Sequence, residues 1–163
     1  MIREDFKLLF DNYFDSVRSY LFYRGADREK ASDLAQDVFM RVWEKQMEID
    51  TGTALRLLYK IAGDMFISSY RREKLESNYR TGITADSGGY SPEDQYRYNE
   101  LLTNYTKALA RMNEKQRVVF LMARMEGLKY HEIADRLQLS VKAVEKRMSM
   151  ALAYLNNALQ SYR

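Results

Sequence analysis

An all-α chain is expected from three features of the 163-residue sequence: two small helical domains joined by a flexible linker, the C-terminal one carrying a helix-turn-helix. Apolar residues recur at helical spacing through both halves. No stretch alternates with the period of two that marks a strand. Between the halves, residues 77–94 (SNYRTGITADSGGYSPED) hold three of the seven glycines and the only proline, with no apolar periodicity. That composition reads as a linker. The flanking domains, 1–76 and 95–163, are each near the lower size for an independent core.

The first helix is predicted from Phe6, Leu9, Phe10, Tyr13, Phe14, Val17, Tyr20 and Leu21, spaced as the stripe of a buried face. Gly25 supplies its stop and Asp27 the cap of the next helix. Ala31, Leu34, Ala35, Val38, Phe39 and Val42 repeat the pattern, and Asp50-Thr51-Gly52 breaks the chain. A third helix carries Leu58, Ile61, Ala62, Met65 and Phe66 towards the basic end Arg71-Arg72-Glu73-Lys74. In the second half, Ser91-Pro92-Glu93-Asp94 reads as a cap, a proline at the first helical position and acids facing the helix dipole. Leu101, Tyr105, Ala108, Leu109 and Met112 give that helix its face. Asn113 with Gln116 forms a capping-box pattern for a helix bearing Val118, Val119, Leu121, Met122 and Met125, which stops at Gly127.

Composition excludes several functions. With 46% hydrophobic residues the chain is too apolar to be disordered. No apolar run approaches the roughly 20 residues that cross a bilayer, and MIREDFKLLF is charged rather than signal-like. A soluble cytoplasmic protein with no membrane insertion is expected. The absence of cysteine and the single histidine leave no thiol nucleophile and no zinc site of ordinary composition. No metal and no cofactor are expected. The formal net charge of +3 is uneven: residues 95–163 carry twelve basic and six acidic side chains, whereas residues 1–76 carry thirteen and fourteen. A basic C-terminal third points to an anionic partner, nucleic acid first.

The sharpest signal lies at the end of the chain. Tyr130–Leu137 is a short amphipathic helix with Ile133, Ala134 and Leu137 turned inward. Gln138-Leu139-Ser140 breaks it, and Ser140 caps a longer helix that buries Val141, Val144, Met148, Ala151, Leu152 and Leu155. The small Ala134 lets the helices cross closely and Leu139 plugs the corner, the arrangement that sets a recognition helix into a major groove. Its exposed face then presents Lys142, Ala143, Glu145, Lys146, Arg147 and Ser149 to phosphates and base edges. The turn often carries glycine. Here it is Gln138, at a cost of roughly 1 kcal/mol if left-handed.

Together these segments resemble an extracytoplasmic-function sigma factor, the small two-domain class of bacterial transcription initiation factors. Ala31–Trp43 (ASDLAQDVFMRVW) is similar to the family's helix that docks on the clamp coiled coil of RNA polymerase. Leu58-Tyr59-Lys60-Ile61-Ala62, leading to Arg71-Arg72, is similar to the helix that contacts the −10 promoter element. Asn113–Phe120, continuing through Gly127 to Leu155, is similar to the −35-binding domain.

The resemblance implies that Asp33, Gln36, Asp37 and Arg41 form the polymerase-docking face; their spacing of three to four residues places them on one side of a helix. It implies that Arg56, Lys60, Asp64, Arg71 and Arg72 serve the −10 element, that the loop Met47–Thr53 captures an unstacked base, and that Lys142–Ser149 serve the −35 element. Asp64 and Ser68 stand where the family commonly has Asn and Asp, which bears on base preference. Core RNA polymerase, promoter DNA and an anti-sigma factor are the partners implied.

An enzyme reading of Asp33 and Asp37 as paired carboxylates fails because no adjacent base, metal ligand or phosphate-cradling loop accompanies them. Two other readings compete. One is a stand-alone helix-turn-helix regulator, binding a specific duplex without polymerase. The other is a helical adaptor that binds only protein.

Overall fold

The computed structural model describes residues 1–74 and 92–160. Seven helices follow one another: α1 (Arg3–Arg24), α2 (Arg28–Glu44), α3 (Ala54–Lys74), α4 (Pro92–Arg111), α5 (Glu114–Glu126), α6 (Tyr130–Leu137) and α7 (Val141–Ala158). No strand occurs among the described residues. The stretch read as a linker lies outside them as far as residue 91, and so does Ser91 as a cap. Pro92, Glu93 and Asp94 form the first turn of α4.

In the first domain α1 packs on α2 and α3. Val17, Leu21, Ala31, Ala35, Val38, Val42, Leu58 and Ala62 are sealed from solvent at its centre. At the open end of α1 the rings take over: Phe10 stacks on Phe14 at 4.7 Å between centroids and meets Phe39 edge-on at 5.2 Å. Trp43 leans on Phe6 at 5.1 Å and remains half-exposed. Gly25 ends α1 at φ 123°, a backbone state that glycine alone adopts freely. Asp27 Oδ1 accepts the Lys30 N–H at 2.8 Å and starts α2.

In the second domain α5 packs on α7 and α6, and α4 lies along α7, where the Tyr154 hydroxyl donates to the Ala108 carbonyl at 2.9 Å. Asn113 Oδ1 caps α5, accepting the Lys115 and Gln116 N–H groups at 3.0 and 3.4 Å. The expected return bond of the capping box is not made. The Gln116 amide turns instead to the Met150 sulfur at 3.8 Å.

Four apolar residues depart from the buried faces expected for them. Met125 is 68% exposed, Leu152 52% and Val141 41%. The cause is angular: Val144, Met148, Ala151 and Leu155 already fill the contact stripe of α7, and Leu152 lies about 100° round from Ala151. Val141 opens α7 and Met125 precedes the end of α5, where neighbouring helices no longer cover them. Leu101, expected on the packing face of α4, is also exposed.

The two domains touch. α1 packs on α5 and α3 on α6, so the apolar cores of both halves meet.

Candidate nucleic-acid interface

The helix-turn-helix is built from local devices. Lys129 has no side-chain acceptor, yet its backbone N–H donates to the Glu132 carboxylate at 3.0 Å and starts α6. Gln138 closes that helix in the left-handed region, φ 56° and ψ 48°. The expected strained residue is therefore present. The Leu139 N–H returns to the Ala134 carbonyl at 2.9 Å, which pins the corner. Ser140 Oγ then accepts the Ala143 N–H at 3.1 Å and opens α7. Ile133 and Val144 are fully buried where the two helices cross.

This scaffold leaves Lys142, Glu145, Lys146 and Ser149 exposed on α7, with Ala143 and Arg147 half-buried along its flank. Three cations and one carboxylate on a rigid helix can meet phosphates and base edges together. The α7 face turns to solvent as a unit.

The outer face of α2 is equally open. Ala31, Leu34, Ala35, Val38, Phe39 and Val42 are buried, which forces Asp33, Gln36, Asp37 and Arg41 outward. Met40, 55% exposed, stands among them, one turn from Gln36 and Asp37. Sequence reasoning overlooked it, although an apolar residue out of phase with the buried stripe is the available signal.

The basic strip on α3 is divided. Lys60, Asp64, Arg71 and Arg72 are exposed, and Tyr70 is exposed beside the two arginines, its ring stacked on Phe66 at 6.2 Å. Arg56 is different. Its guanidinium pairs with the Asp135 carboxylate of α6 at 2.8 Å, and its Nε is buried with no hydrogen-bond partner. The loop Met47–Thr53 leads into α3, with Thr51 and Gly52 facing a cleft of about 410 Å³. Tyr13, Arg56, His131 and Asp135 also line it, so the expected base-capture loop and α6 share one cavity. His131 is exposed there.

Deeper in the domain contact lie residues that no local pattern marks. Arg117 of α5 donates to the Tyr23 and Arg24 carbonyls at 2.7 and 2.9 Å, and to those of Leu109 and Met112 at 3.3 and 3.2 Å. Burial lowers its guanidinium below the ordinary arginine value, against the pull of Glu114, yet arginine stays charged. Arg24 Nε donates to the Glu114 carboxylate, and its guanidinium lies 5.0 Å over the Phe66 ring. Gly63 makes room for that side chain, since a Cβ there would stand 2.7 Å from Arg24 Nη1.

Glu126 faces Tyr23, Tyr59 and Arg136. Burial raises its carboxyl above the ordinary range, partly opposed by the Tyr23 hydroxyl and by Arg136, whose Nη1 stands 3.7 Å away. Tyr59 is pushed up to about 12, chiefly by burial and then by the Glu126 charge. Its hydroxyl accepts from Arg136 at 3.4 Å.

Among the described residues no group of three or more His, Cys, Asp or Glu side chains is placed to hold a metal ion. None of their helices is long and apolar enough to cross a membrane.

Comparison with known proteins agrees with this layout. Residues 9–76 match the family described as sigma-70 region 2, and residues 102–155 match sigma-70 region 4. The ferric citrate uptake sigma factor FecI of Escherichia coli (strain K12) is 28% identical over 151 residues, covering 91% of this chain and 87% of the relative. RNA polymerase sigma factor YlaC of Bacillus subtilis (strain 168) is 26% identical over 167 residues, covering 99% and 95%. The sigma factor RpoE of Bartonella quintana, solved in complex with the anti-sigma factor NepR, shares the fold with a TM-score of 0.68 at 22% identity, covering 98% of this chain and 99% of that one. The two matched regions take in most of the chain, in the order in which the docking helix, the basic third helix and the helix-turn-helix occur. The chain belongs to the sigma-70 family as an extracytoplasmic-function sigma factor, a subunit that directs RNA polymerase to promoters.

Proposed function

We propose a division of labour between the two domains. Residues 1–76 hold core RNA polymerase through Asp33, Gln36, Asp37 and Arg41, and read and open the −10 element through Arg56, Lys60, Asp64, Arg71 and Arg72. Residues 95–163 place α7 in the major groove of the −35 element with Lys142, Ala143, Glu145, Lys146, Arg147 and Ser149. Residues 77–91, the part of the linker that precedes α4, number 15 and would span up to about 50 Å if extended. That reach suits DNA elements about one and a half to two turns apart, each turn about 34 Å. Tethering raises the effective concentration of each domain for its element, so neither needs high affinity alone.

The observation that carries this reading is the open, cationic face of α7, held rigidly by the Gln138–Ser140 corner. The polar outer face of α2 supports a docking role, because four hydrogen-bonding side chains stand exposed over a closed apolar stripe. The protein acts in the cytoplasm as a specificity subunit with no catalytic step of its own, and an anti-sigma protein masks these surfaces until it is released.

Mixing the full chain with sigma-free core polymerase and a pool of promoter fragments tests the assignment. A ternary complex that initiates at a defined start site is expected. Tight, polymerase-independent binding to a palindromic duplex would favour a stand-alone regulator, and no DNA affinity at any salt concentration would favour a protein-only adaptor.

A further inference from the structure

Among the exposed side chains of α7, Lys142, Glu145, Lys146 and Ser149, one carries the charge that DNA repels. Glu145 forms no hydrogen bond or ion pair with any other described residue. Lys142, three residues earlier, stands at ion-pair spacing, but a cation placed N-terminal to the acid is the weaker order in a helix and the pair is not made. The carboxylate is therefore free to meet a donor from outside.

The helix cannot turn that carboxylate away from a ligand. Val144, fully buried, and Met148, 6% exposed, bracket Glu145 in the chain, so rotating α7 would pull both from the core. The start of the helix is fixed as well, by the Ser140 cap and the Leu139–Ala134 bond of the corner. At about 100° per residue, Glu145 lies some 40° round from Ser149 and some 60° from Lys142, on the same open side.

In a major groove that side would face two rows of phosphates and the base edges. Guanine presents two acceptors there, thymine an acceptor and a methyl group, and adenine an acceptor beside its amino group. Cytosine alone presents a donor, its N4 amino group, with no acceptor of its own. An ionised carboxylate stripped of water against an acceptor is left unpaired, which is costly. Against cytosine it accepts a charge-assisted hydrogen bond.

We propose that Glu145 is a specificity-determining residue of α7, accepting a hydrogen bond from the N4 amino group of one cytosine and excluding the other three bases at that position. This inference rests on the −35 role proposed above. Lys142 and Lys146 supply an attraction to phosphates that every sequence satisfies. Glu145 subtracts from that attraction except where cytosine stands, so it acts mainly by rejecting wrong sequences.

Holoenzyme assembled from the full chain and sigma-free core polymerase can select, at one fixed salt concentration, from promoter fragments randomised across the −35 element. One position should favour cytosine about tenfold over the other bases. Glu145→Ala should reduce that preference to about twofold or less, leave the other positions unchanged and raise affinity for random-sequence DNA. Glu145→Gln should move the preference to adenine, whose N6 and N7 match an amide. A fragment carrying 2-pyrimidinone, which is cytosine without its amino group, should bind the unmutated holoenzyme about tenfold more weakly than the cytosine fragment, and Glu145→Ala holoenzyme equally. Both proteins meet the same two duplexes, so any effect of the analogue on the DNA itself cancels. Thermal melting checks the fold, which exposed Glu145 should not disturb.

Unchanged preferences at every position in Glu145→Ala overturn the proposal, as does an equal gain in affinity for all sequences, which would leave the carboxylate a purely electrostatic role. So does a loss on removing the amino group that is the same in both proteins. If the unmutated holoenzyme shows no −35 preference at all, the −35 assignment of α7 falls, and this inference falls with it.

Discussion

The outer faces of α7 and α3 carry similar side chains, cations interspersed with a carboxylate, yet they stand in different surroundings. On α7, Lys142, Glu145, Lys146 and Ser149 face solvent. On α3, Lys60, Asp64, Arg71 and Arg72 do so, but Arg56 is already engaged by the helix-turn-helix of the other domain. The α2 face resembles that of α7 in being open. A face free of intramolecular partners can meet a ligand at once, whereas a shared face must first be released. The same residue type at the same level of sequence pattern therefore carries a different binding cost.

Substitutions on the open faces should have the largest effects on binding with little effect on stability. Asp33→Ala combined with Asp37→Ala removes two charge-assisted contacts from the proposed polymerase surface. Affinity for core polymerase, measured by competition against the unmutated chain, should fall about a hundredfold. The thermal midpoint should scarcely move, because neither side chain packs against the core. Lys146→Ala with Arg147→Ala should weaken binding to a −35 duplex about tenfold and reduce the salt dependence by roughly two ions. Equal loss of affinity at every salt concentration would instead assign those side chains a structural role.

The shared face should betray itself through stability. Glu126 is packed against Tyr23 of α1, Tyr59 of α3 and Arg136 of α6, and burial raises its carboxyl above its ordinary 4.5. A raised carboxyl favours the folded state below that value, and the contribution disappears as pH rises through the raised one. Unfolding free energies from denaturant titrations followed upward from pH 4.5 should therefore decline on this account. Glu126→Gln should flatten that slope, and a parallel slope in the variant would assign it to other groups.

The smallest effect separates two neighbours on α3. Lys60→Ala should weaken −10 binding without changing stability. Arg56→Ala should also cost about 0.5 kcal/mol of folding stability, the ordinary worth of a partly exposed ion pair. Identical unfolding curves for the two variants would erase the distinction between an open and a shared position.

Much of this molecule was legible in its sequence because the signals are local. The stripes of α1 and α2, the Asp27, Asn113 and Ser140 caps, the stop at Gly127 and the corner at Gln138 each depend on residues within one or two turns. The outward placement of Asp33, Gln36, Asp37 and Arg41 followed from the inward placement of their neighbours. Leu152, Val141 and Met125 were misjudged because hydrophobicity marks a residue as able to be buried, and does not say whether another helix arrives to cover it. Gln116 fitted the capping-box pattern, but a thioether across the domain drew its amide away.

By itself the sequence determined the all-α class, the helix-turn-helix and the polar outer faces, since period, caps and turn residues act over a few positions of the chain. Tertiary structure alone decided that Arg56 meets Asp135, that Arg117 joins the ends of α1 and α4, and that Glu126 lies among two tyrosines and an arginine. The partners that join the two domains are far apart in the chain, Arg117 and Tyr23 by 94 residues and Arg56 and Asp135 by 79. Their meeting depends on the packing of α1 on α5 and of α3 on α6, where long polar side chains find acceptors that no neighbour in sequence supplies.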